Sequence, residues 1–477
     1  MSIYNSSIIN YTGTYTDMYQ LTMSQVFFLD KKKDNQVVFD YFFRRLPFNS
    51  GYAIFAGLEN LLDILQDFRF SESDLELLKK KGFHAEFIKF LKDFKFKGTI
   101  YSAKEGDLIF PTRPVLQVEG SIIEAQLIET MLLNILNFQT LIATKASRIR
   151  IAAGEKTLLD FGLRRAQGPG GYYASRAAYI GGIDATSNVK AGGDFNIPLT
   201  GTMAHSFIES YENEYRAFLS FATAYPDNCF LLVDTYDTLN SGLPNAIRVA
   251  KELEKTGHRL KGIRLDSGDL AYLSKTCRKN LDEAGLHYVK IAASNQLDEY
   301  IIRSLQDQQA PIDSFGVGTS LVTGHPDAAL DGVYKLAFSN GKPQIKLSEN
   351  VSKITLPYPK QVYRIYDSNG DFTGADVVTI RDEKKPDIMH HPIYPGKSFS
   401  FKSLVIEPLL EKVMENGKRI IPHRTTSEIA NYSKERLSKL PEEYKRFNYP
   451  HIYKIGLSTK LLNERNNLIH QYKNQSP

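Results

Sequence analysis

The sequence predicts an α/β protein: an irregular β/α barrel, preceded by an α+β domain and followed by a C-terminal β/α extension. Three observations carry that prediction. From about residue 157, short apolar segments with polar ends alternate with helical segments at intervals of roughly 18–32 residues, the rhythm of parallel strands joined by crossovers. Before residue 145, helices and β-like pieces mix without that rhythm. After Gly332 the alternation stops, and hairpin signals at Asn340-Gly341 and Asn369-Gly370 take over. A chain of 477 residues exceeds one ordinary core. Its expected divisions are 1–145, 146–332 and 333–477, the last packing back on the first.

Composition narrows the class. The hydrophobic share is 42% and the charged share 24%, as in ordinary globular enzymes. A net charge of +5 over this length is too mild to argue for nucleic acid, though it suits an anionic substrate. Cys229 and Cys277 have no metal-like spacing, so no disulfide framework or zinc site follows, and a reducing cytoplasm is the expected setting. The first fifteen residues lack the basic and apolar regions of a signal peptide. No apolar run approaches the roughly 18–20 residues that span a bilayer, so no membrane is expected.

In chain order, Thr16-Asp17 can cap a helix carrying Met18, Leu21, Met23 and Phe27, with Tyr19 in its first turn. Val37–Phe43 reads as a strand, Gly51–Phe68 as an amphipathic helix, and Ser71–Phe94 as a helix burying Leu75, Leu77, Leu78, Phe83, Phe87, Ile88 and Leu91. Gly98–Ser102 and Val115–Val118 are β-like. Ser121 and Glu124 form a capping box ahead of an apolar helix reaching about Ile142. The barrel strands are Thr157–Phe161, Gly181–Ser187, Thr200–His205, Phe230–Val233, Leu260–Leu265, His287–Ala292 and Ile312–Phe315. Helices at Ser206–Ala224, Leu243–Thr256, Leu270–Ala284 and Asp298–Gln309 separate them, and a Gly/Asp/Asn-rich segment, Lys190–Asn196, precedes Thr200–His205. Beyond Gly332, Val333–Phe338 pairs with Ile345–Leu347 and Val362–Tyr366 with Ala375–Ile380. Pro386–Pro395 is irregular, and helices near Thr426–Leu437 and Leu457–Tyr472 close the chain, the last a solvated one.

In a barrel the residues after each strand gather at one rim. Here they are Arg164 and Arg165; Ser187 and Asn188; Thr202 and His205; Asp234 and Asp237; Arg264, Asp266 and Asp269; Ser294; and Gly316, Gly318 and Thr319. Two arginines with a Gly-Val-Gly-Thr turn can hold a phosphate by guanidinium forks, backbone amides and a hydroxyl. Aspartates beside it can anchor Mg²⁺. Phosphate, magnesium and a histidine together point to phosphoryl or pyrophosphate chemistry. Taken singly, Gly316–Thr319 reads equally as a tight turn, and Asp266–Asp269 as a helix cap. Gly168–Gly171 lacks the dinucleotide spacing, and neither HExxH nor a P-loop occurs.

In this order the motifs resemble the nicotinate phosphoribosyltransferases, a type II phosphoribosyltransferase family. The matching stretches are TDMYQLTM (Thr16–Met23), FGLRRAQG (Phe161–Gly168), GTMAHS (Gly201–Ser206), VDTYDT (Val233–Thr238), GIRLDSGDL (Gly262–Leu270) and GVGTSLVT (Gly316–Thr323), extended by KLSEN (Lys346–Asn350) and VYRIYD (Val362–Asp367). The resemblance implies transfer of a phosphoribosyl group from 5-phosphoribosyl 1-diphosphate (PRPP) to nicotinate, giving nicotinate mononucleotide and pyrophosphate with coupled ATP hydrolysis. It implies Mg²⁺ as cofactor, ATP as co-substrate, and a homodimer with shared active sites. His205 would be the residue phosphorylated by ATP. Phe161 would stack on the pyridine, with Tyr19 of a second subunit on its other face. Arg164, Arg264 and Thr202 would hold nicotinate or the neighbouring phosphate. Arg165, Ser294, Gly316, Gly318 and Thr319 would hold PRPP, and Asp234 and Asp266 would face ribose or magnesium pyrophosphate.

The pyridine nitrogen is already a nucleophile, which accounts for the lack of a base–nucleophile dyad in the motifs. Related nicotinamide enzymes place an aspartate on the substrate amide; the comparable stretch here carries Ser187 and Asn188, which would not repel a carboxylate. The competing readings are a nicotinamide or quinolinate phosphoribosyltransferase and a non-catalytic barrel that binds phosphoribosyl ligands.

Overall fold

The computed structural model describes residues 8–348, 354–394 and 396–475. The chain divides into two compact units, Met1–Thr144 with Ala329–Pro477, and Lys145–Ala328.

The first unit is built on two sheets that mix distant parts of the chain. One has seven strands, in the spatial order Lys342–Pro343, Gly332–Ser339, Gln36–Phe43, Leu116–Ser121, Thr99–Ser102, Glu411–Glu415 and Lys418–Arg419. The other has six, in the order Ser398–Ser400, Ile388–His390, Lys454–Leu457, Phe372–Ile380, Lys360–Tyr366 and Val405–Pro408. A core that includes Phe43, Phe55, Phe87, Leu116, Met131 and Leu136 fills the N-terminal part. Buried ion pairs tie early and late segments together: Arg113 to Asp376 (2.9 Å), Arg364 to Asp107 (2.7 Å) and Arg436 to Asp107 (2.8 Å). Each arginine has its carboxylate, which is what makes burial of so much charge tolerable.

Several local expectations are corrected in this unit. The helix expected over Gly51–Phe68 begins only at Leu58, because Ala53–Ile54 pairs with Leu108–Ile109 and Gly57 turns the chain at φ 104°. The single helix expected over Ser71–Phe94 is two, Glu72–Lys80 and Ala85–Lys92, broken at Gly82 (φ 82°), and Leu77 is exposed. Asp17 does not cap its helix with its side chain; Thr130 donates to that carboxylate instead. The Ser121–Glu124 capping box is present, but the helix is interrupted at Ile128 and resumes as Glu129–Ala153. The Asn340-Gly341 turn forms with both residues at positive φ, 47° and 81°, yet the returning strand is Lys342–Pro343, not Ile345–Leu347. Pro386–Pro395 contains the strand Ile388–His390; Pro395 and the Glu349-Asn350 end of KLSEN lie outside the described residues. The last helix, Thr459–Gln475, buries Leu461 and Leu462.

The second unit carries the barrel. We label its strands β1 (Thr157–Asp160), β2 (Ala185–Thr186), β3 (Phe230–Leu232), β4 (Gly262–Leu265), β5 (Lys290–Ser294) and β6 (Ser314–Val317). They lie side by side in the order β2-β1-β6-β5-β4-β3, and every pair is parallel. The irregularity is at the Thr200–His205 stretch. It is not a full strand: a single bridge from Leu199 to Thr186 extends the sheet at β2, and the chain then runs open to the helix His205–Glu209. Apolar residues fill the strands, with Leu158, Leu231, Ile263, Ile291 and Val317 completely buried. β5 and β6 start two or three residues later than expected. The Gly/Asp/Asn-rich segment Lys190–Asn196 falls in a helix, Val189–Phe195, capped by the Asn188 side chain. A further helix, Gly170–Ile180, follows the Gly-Pro-Gly-Gly run. The one helix expected over Ser206–Ala224 is two, His205–Glu209 and Glu214–Ala224. Because all six strands are parallel, their C-terminal ends share one edge of the sheet, and that edge holds the polar residues.

Candidate active site

Arg264 stands at the end of β4 and organises the site. Its Nε donates to Ser294 Oγ (2.8 Å), one Nη to Thr202 Oγ1 (3.2 Å) and the other to Asp266 Oδ1 (2.7 Å). Ser294 Oγ in turn donates to Asp266 Oδ1. The guanidinium carbon lies 5.3 Å from the centre of the Phe161 ring, within cation–π range. Its side chain is 14% exposed, so one planar cation is held in a fixed orientation with part of its fork open to the cleft.

The cleft has two adjoining lobes, both bounded by Phe161, Arg164, Arg264 and Asp266. The lobe of about 270 Å³ continues along Arg165, Ser294, Gly316, Gly318 and Thr319. That of about 430 Å³ continues along Leu163, Ser187, Thr202, Met203 and His205. The first is the more polar and suits an anion; the second offers an apolar wall beside a cation. Gly316 has a steric reason to be glycine: a Cβ there would sit 2.4 Å from the Phe161 ring. Gly162, just after that ring, equally has no room, since a Cβ would meet Val322 at 2.1 Å.

His205 is the first residue of its helix, and its side chain is 41% exposed. Its Nδ1 shares a hydrogen bond with Thr235 Oγ1 (3.1 Å), leaving Nε2 as the nitrogen facing Asp266 Oδ2, 4.0 Å away. Asp234 accepts from the Asp266 backbone N–H (2.9 Å) and from Ser267 Oγ (2.6 Å) through one oxygen. Its other oxygen is buried without a hydrogen-bond partner. Asp237 and Asp269 spend their carboxylates capping the helical turns that follow them.

The structure thus brings together Phe161, Arg164, Arg165, Ser187, Thr202, His205, Arg264, Asp266, Ser294, Gly316, Gly318 and Thr319 along one continuous cleft. Asn188 is not on it. Its amide donates to Gly171 O (3.3 Å) and Ser175 Oγ (3.2 Å), and its carbonyl caps the next helix, so the pairing of Ser187 with Asn188 as cleft residues is corrected to Ser187 alone. Tyr19 is on the helix Met18–Leu29 of the other unit, 51% exposed.

Other residues of the site were not singled out in the sequence. Asn295 and Gln296 line the anion lobe with φ of 82° and 44°; asparagine tolerates that left-handed turn, which was the available signal. Asp160, at the end of β1, is buried and accepts from the Gly162 N–H (2.8 Å), Ser175 Oγ (2.7 Å) and Thr186 Oγ1 (2.7 Å). It fixes the turn that carries Phe161, and burial holds its carboxyl above the usual range. Cys229 and Cys277 are free and buried, their thiols pushed up to about 12 by desolvation. Among the described residues no cluster of three His, Cys, Asp or Glu could hold a metal by itself, and no helix is long and apolar enough to cross a membrane.

Comparison with known proteins shows the family. The nicotinate phosphoribosyltransferase N-terminal domain profile matches residues 14–137 and the corresponding C-terminal domain profile residues 359–465, both within the first unit. A nicotinate phosphoribosyltransferase of Bacillus subtilis is 45% identical over 473 residues, covering 97% of this chain and 96% of the relative. The crystal structure of human nicotinic acid phosphoribosyltransferase superposes with a TM-score of 0.84 at 31% identity, covering 95% of this chain and 99% of that one. A nicotinate-nucleotide pyrophosphorylase structure from Pyrococcus furiosus matches less closely, at a TM-score of 0.71 and 26% identity over 90% of this chain and 95% of that one. The barrel, its arginine-centred cleft and full-length similarity to these enzymes lead to one conclusion: the chain belongs to the nicotinate phosphoribosyltransferase family.

Proposed function

We propose that the protein joins nicotinate to PRPP, releasing nicotinate mononucleotide and pyrophosphate, the first step of NAD salvage from nicotinate, and that it couples this transfer to ATP hydrolysis. The observation that carries the reading is Arg264, fixed at three points beside the Phe161 ring. A pyridine on that ring would present its carboxylate to the guanidinium and to Thr202, while Arg164 and Ser187 bound the same lobe. Apart from Asp266, which Arg264 neutralises, this lobe is lined by no carboxylate among the described residues, so a nicotinate anion meets no repulsion there.

The ribose phosphate would enter the anion lobe, against Arg165, Ser294, Thr319 and the Gly316–Gly318 backbone. The ring nitrogen then attacks the anomeric carbon as the bond to the diphosphate oxygen breaks. Positive charge grows on the sugar, where Asp234 and Asp266 favour it, and negative charge on the leaving group, where the arginines do. Asp234, which keeps a buried oxygen without a partner, and Asp266 would hold a magnesium ion here. Magnesium, when bound, adds positive charge to the leaving group.

His205 Nε2 is the nitrogen free to take a phosphoryl group. Its lone pair would attack the γ-phosphorus of ATP, and the bond to ADP would break. The phosphohistidine carries about −1.5 to −2 charges. Nε2 lies 4.0 Å from Asp266 Oδ2, so a phosphate on it would repel that carboxylate and loosen its ion pair with Arg264, leaving the guanidinium to the nicotinate carboxylate. The reading extends to a cytoplasmic homodimer in which Tyr19 of a second subunit covers the pyridine. The test is an assay of PRPP and Mg²⁺ with nicotinate, nicotinamide or quinolinate, with and without ATP. Nicotinate alone should give mononucleotide and pyrophosphate at a rate ATP raises, an acceleration His205→Ala should abolish while slow transfer persists. Preference for nicotinamide, or carbon dioxide release from quinolinate, would overturn it.

A further inference from the structure

The first unit contains a second cavity, of about 380 Å³, made wholly from its own residues. Its walls are apolar, with Leu46, Pro111, Leu356, Ile393, Ile452 and Ile455 among them. Ile452 is 81% exposed and Ile393 48%, so the apolar surface continues out to the rim. Among the described residues lining it, one carries a full charge. Arg465, on the last helix, donates through Nη2 to the Pro392 carbonyl (2.6 Å) and to Asn466 Oδ1 (3.1 Å), and through Nε weakly to Asn466. Its Nη1 makes no hydrogen bond, and no carboxylate pairs with it, among the described residues. Elsewhere in this unit the buried arginines Arg113, Arg364 and Arg436 all have carboxylates.

We propose that this cavity binds an amphiphilic monocarboxylate, its carboxylate on Arg465 and its hydrocarbon body along the apolar walls. An uncompensated cation in an apolar pocket selects on two counts. A polyanion would leave charge unpaired against Leu46 and Ile455, since one guanidinium cannot neutralise it. A neutral apolar molecule would leave the guanidinium unsatisfied. A single carboxylate with an apolar chain meets both demands, and the cavity lies within the size range of small-molecule sites. His391 adds a donor at the same wall: its Nδ1 accepts from the backbone N–H groups of Ile393 and Tyr394 (3.0 and 3.1 Å), which fixes the proton on Nε2. Burial lowers the Arg465 pKa, and among the described residues no carboxylate restores it.

The test is calorimetric titration of the full-length protein with decanoate, and with decanol as the uncharged match. Decanoate should bind saturably at one site per chain and decanol at least about tenfold more weakly. Arg465→Met keeps the aliphatic stem and should weaken decanoate by about tenfold or more while leaving decanol unchanged. Ile452→Asp, at an exposed position where folding is not at stake, should weaken both, and nicotinate mononucleotide synthesis by each variant serves as the check of the fold. Decanoate binding that is absent in the wild type, or unchanged in both variants, overturns the proposal. So does a change of oligomeric state in Ile452→Asp without a change in decanoate affinity, which would assign this face to a second copy of the chain.

Discussion

Adding one methyl group at Gly316 should disable the proposed pyridine site without touching any polar residue. An alanine Cβ there would lie 2.4 and 2.5 Å from two carbons of the Phe161 ring and 3.3 Å from Ser294 Cβ. Contacts under 3 Å must be relieved by movement, and the ring is the part that can move. It is also the ring that lies 5.3 Å from the Arg264 guanidinium. Overpacking of this kind costs about 1–3 kcal/mol, or a fall of roughly 2–4 °C in melting temperature for each kcal/mol. Displacing the ring also forfeits its cation–π contact with Arg264 and its stacking on the pyridine proposed to bind there, about 1–3 kcal/mol together. At 1.4 kcal/mol per decade, that raises the Michaelis constant for nicotinate roughly fivefold to a hundredfold. Steady-state kinetics with varied nicotinate at saturating PRPP, alongside thermal melts, measure both effects. The double variant Gly316→Ala/Phe161→Ala separates them, because removing the ring relieves the clash. Its melting temperature should rise above that of Gly316→Ala while its nicotinate constant stays high. If Gly316→Ala keeps both the melting temperature and the nicotinate constant within error of wild type, Phe161 does not occupy the place argued for it.

Other substitutions probe the remaining parts of the site. Arg264→Lys keeps the charge but cannot reach Ser294, Thr202 and Asp266 together, so kcat/KM for nicotinate should fall about tenfold to a hundredfold, read by pyrophosphate release. Ser187→Asp places a carboxylate on the lobe proposed for the pyridine and should raise the Michaelis constant for nicotinate far more than that for PRPP. Asn188→Asp should instead lower thermal stability, by about 1–3 kcal/mol, because it deletes the donor to Gly171 and Ser175. Asp160 supplies a pH signature. Its folded pKa is raised by burial, so the native state holds this proton more tightly than the unfolded chain. The stabilisation is fully present below the unfolded value of 3.8 and is lost as pH rises through the folded one. Melts of wild type and Asp160→Asn across the acidic range should therefore diverge in slope just above that value, wild type falling the more steeply with rising pH.

Much of the barrel and its rim was legible in the sequence because both are local. A short apolar strand announces itself, and the polar residue after it can be placed on the rim without knowing its neighbours, which is how Thr202, His205, Arg264 and Asp266 were found. What failed was long-range or conformational. The sheet joining Gln36–Phe43 to Gly332–Ser339 and Thr99–Ser102 to Glu411–Glu415 depends on pairings hundreds of residues apart, with no signal inside any one strand. Asp107 gives no hint that Arg364 and Arg436 will bury against it. Asn188 and Ser187 are adjacent and chemically similar, yet a helix cap turns one away from the cleft and leaves the other on it. Thr235 lies in VDTYDT between two aspartates, and nothing local in that motif signals that its hydroxyl holds the His205 ring. The helix after Gly168–Gly171 was missed because glycine and proline there mark its start rather than a loop.

The most direct measurement is a crystal structure of the protein with nicotinate mononucleotide bound. The account predicts the pyridine stacked on Phe161, its carboxylate within hydrogen-bonding distance of Arg264 or Thr202, and the 5′-phosphate against Thr319 and the Gly316–Gly318 backbone. A pyridine bound away from Phe161, with its carboxylate satisfied by other residues, would contradict it.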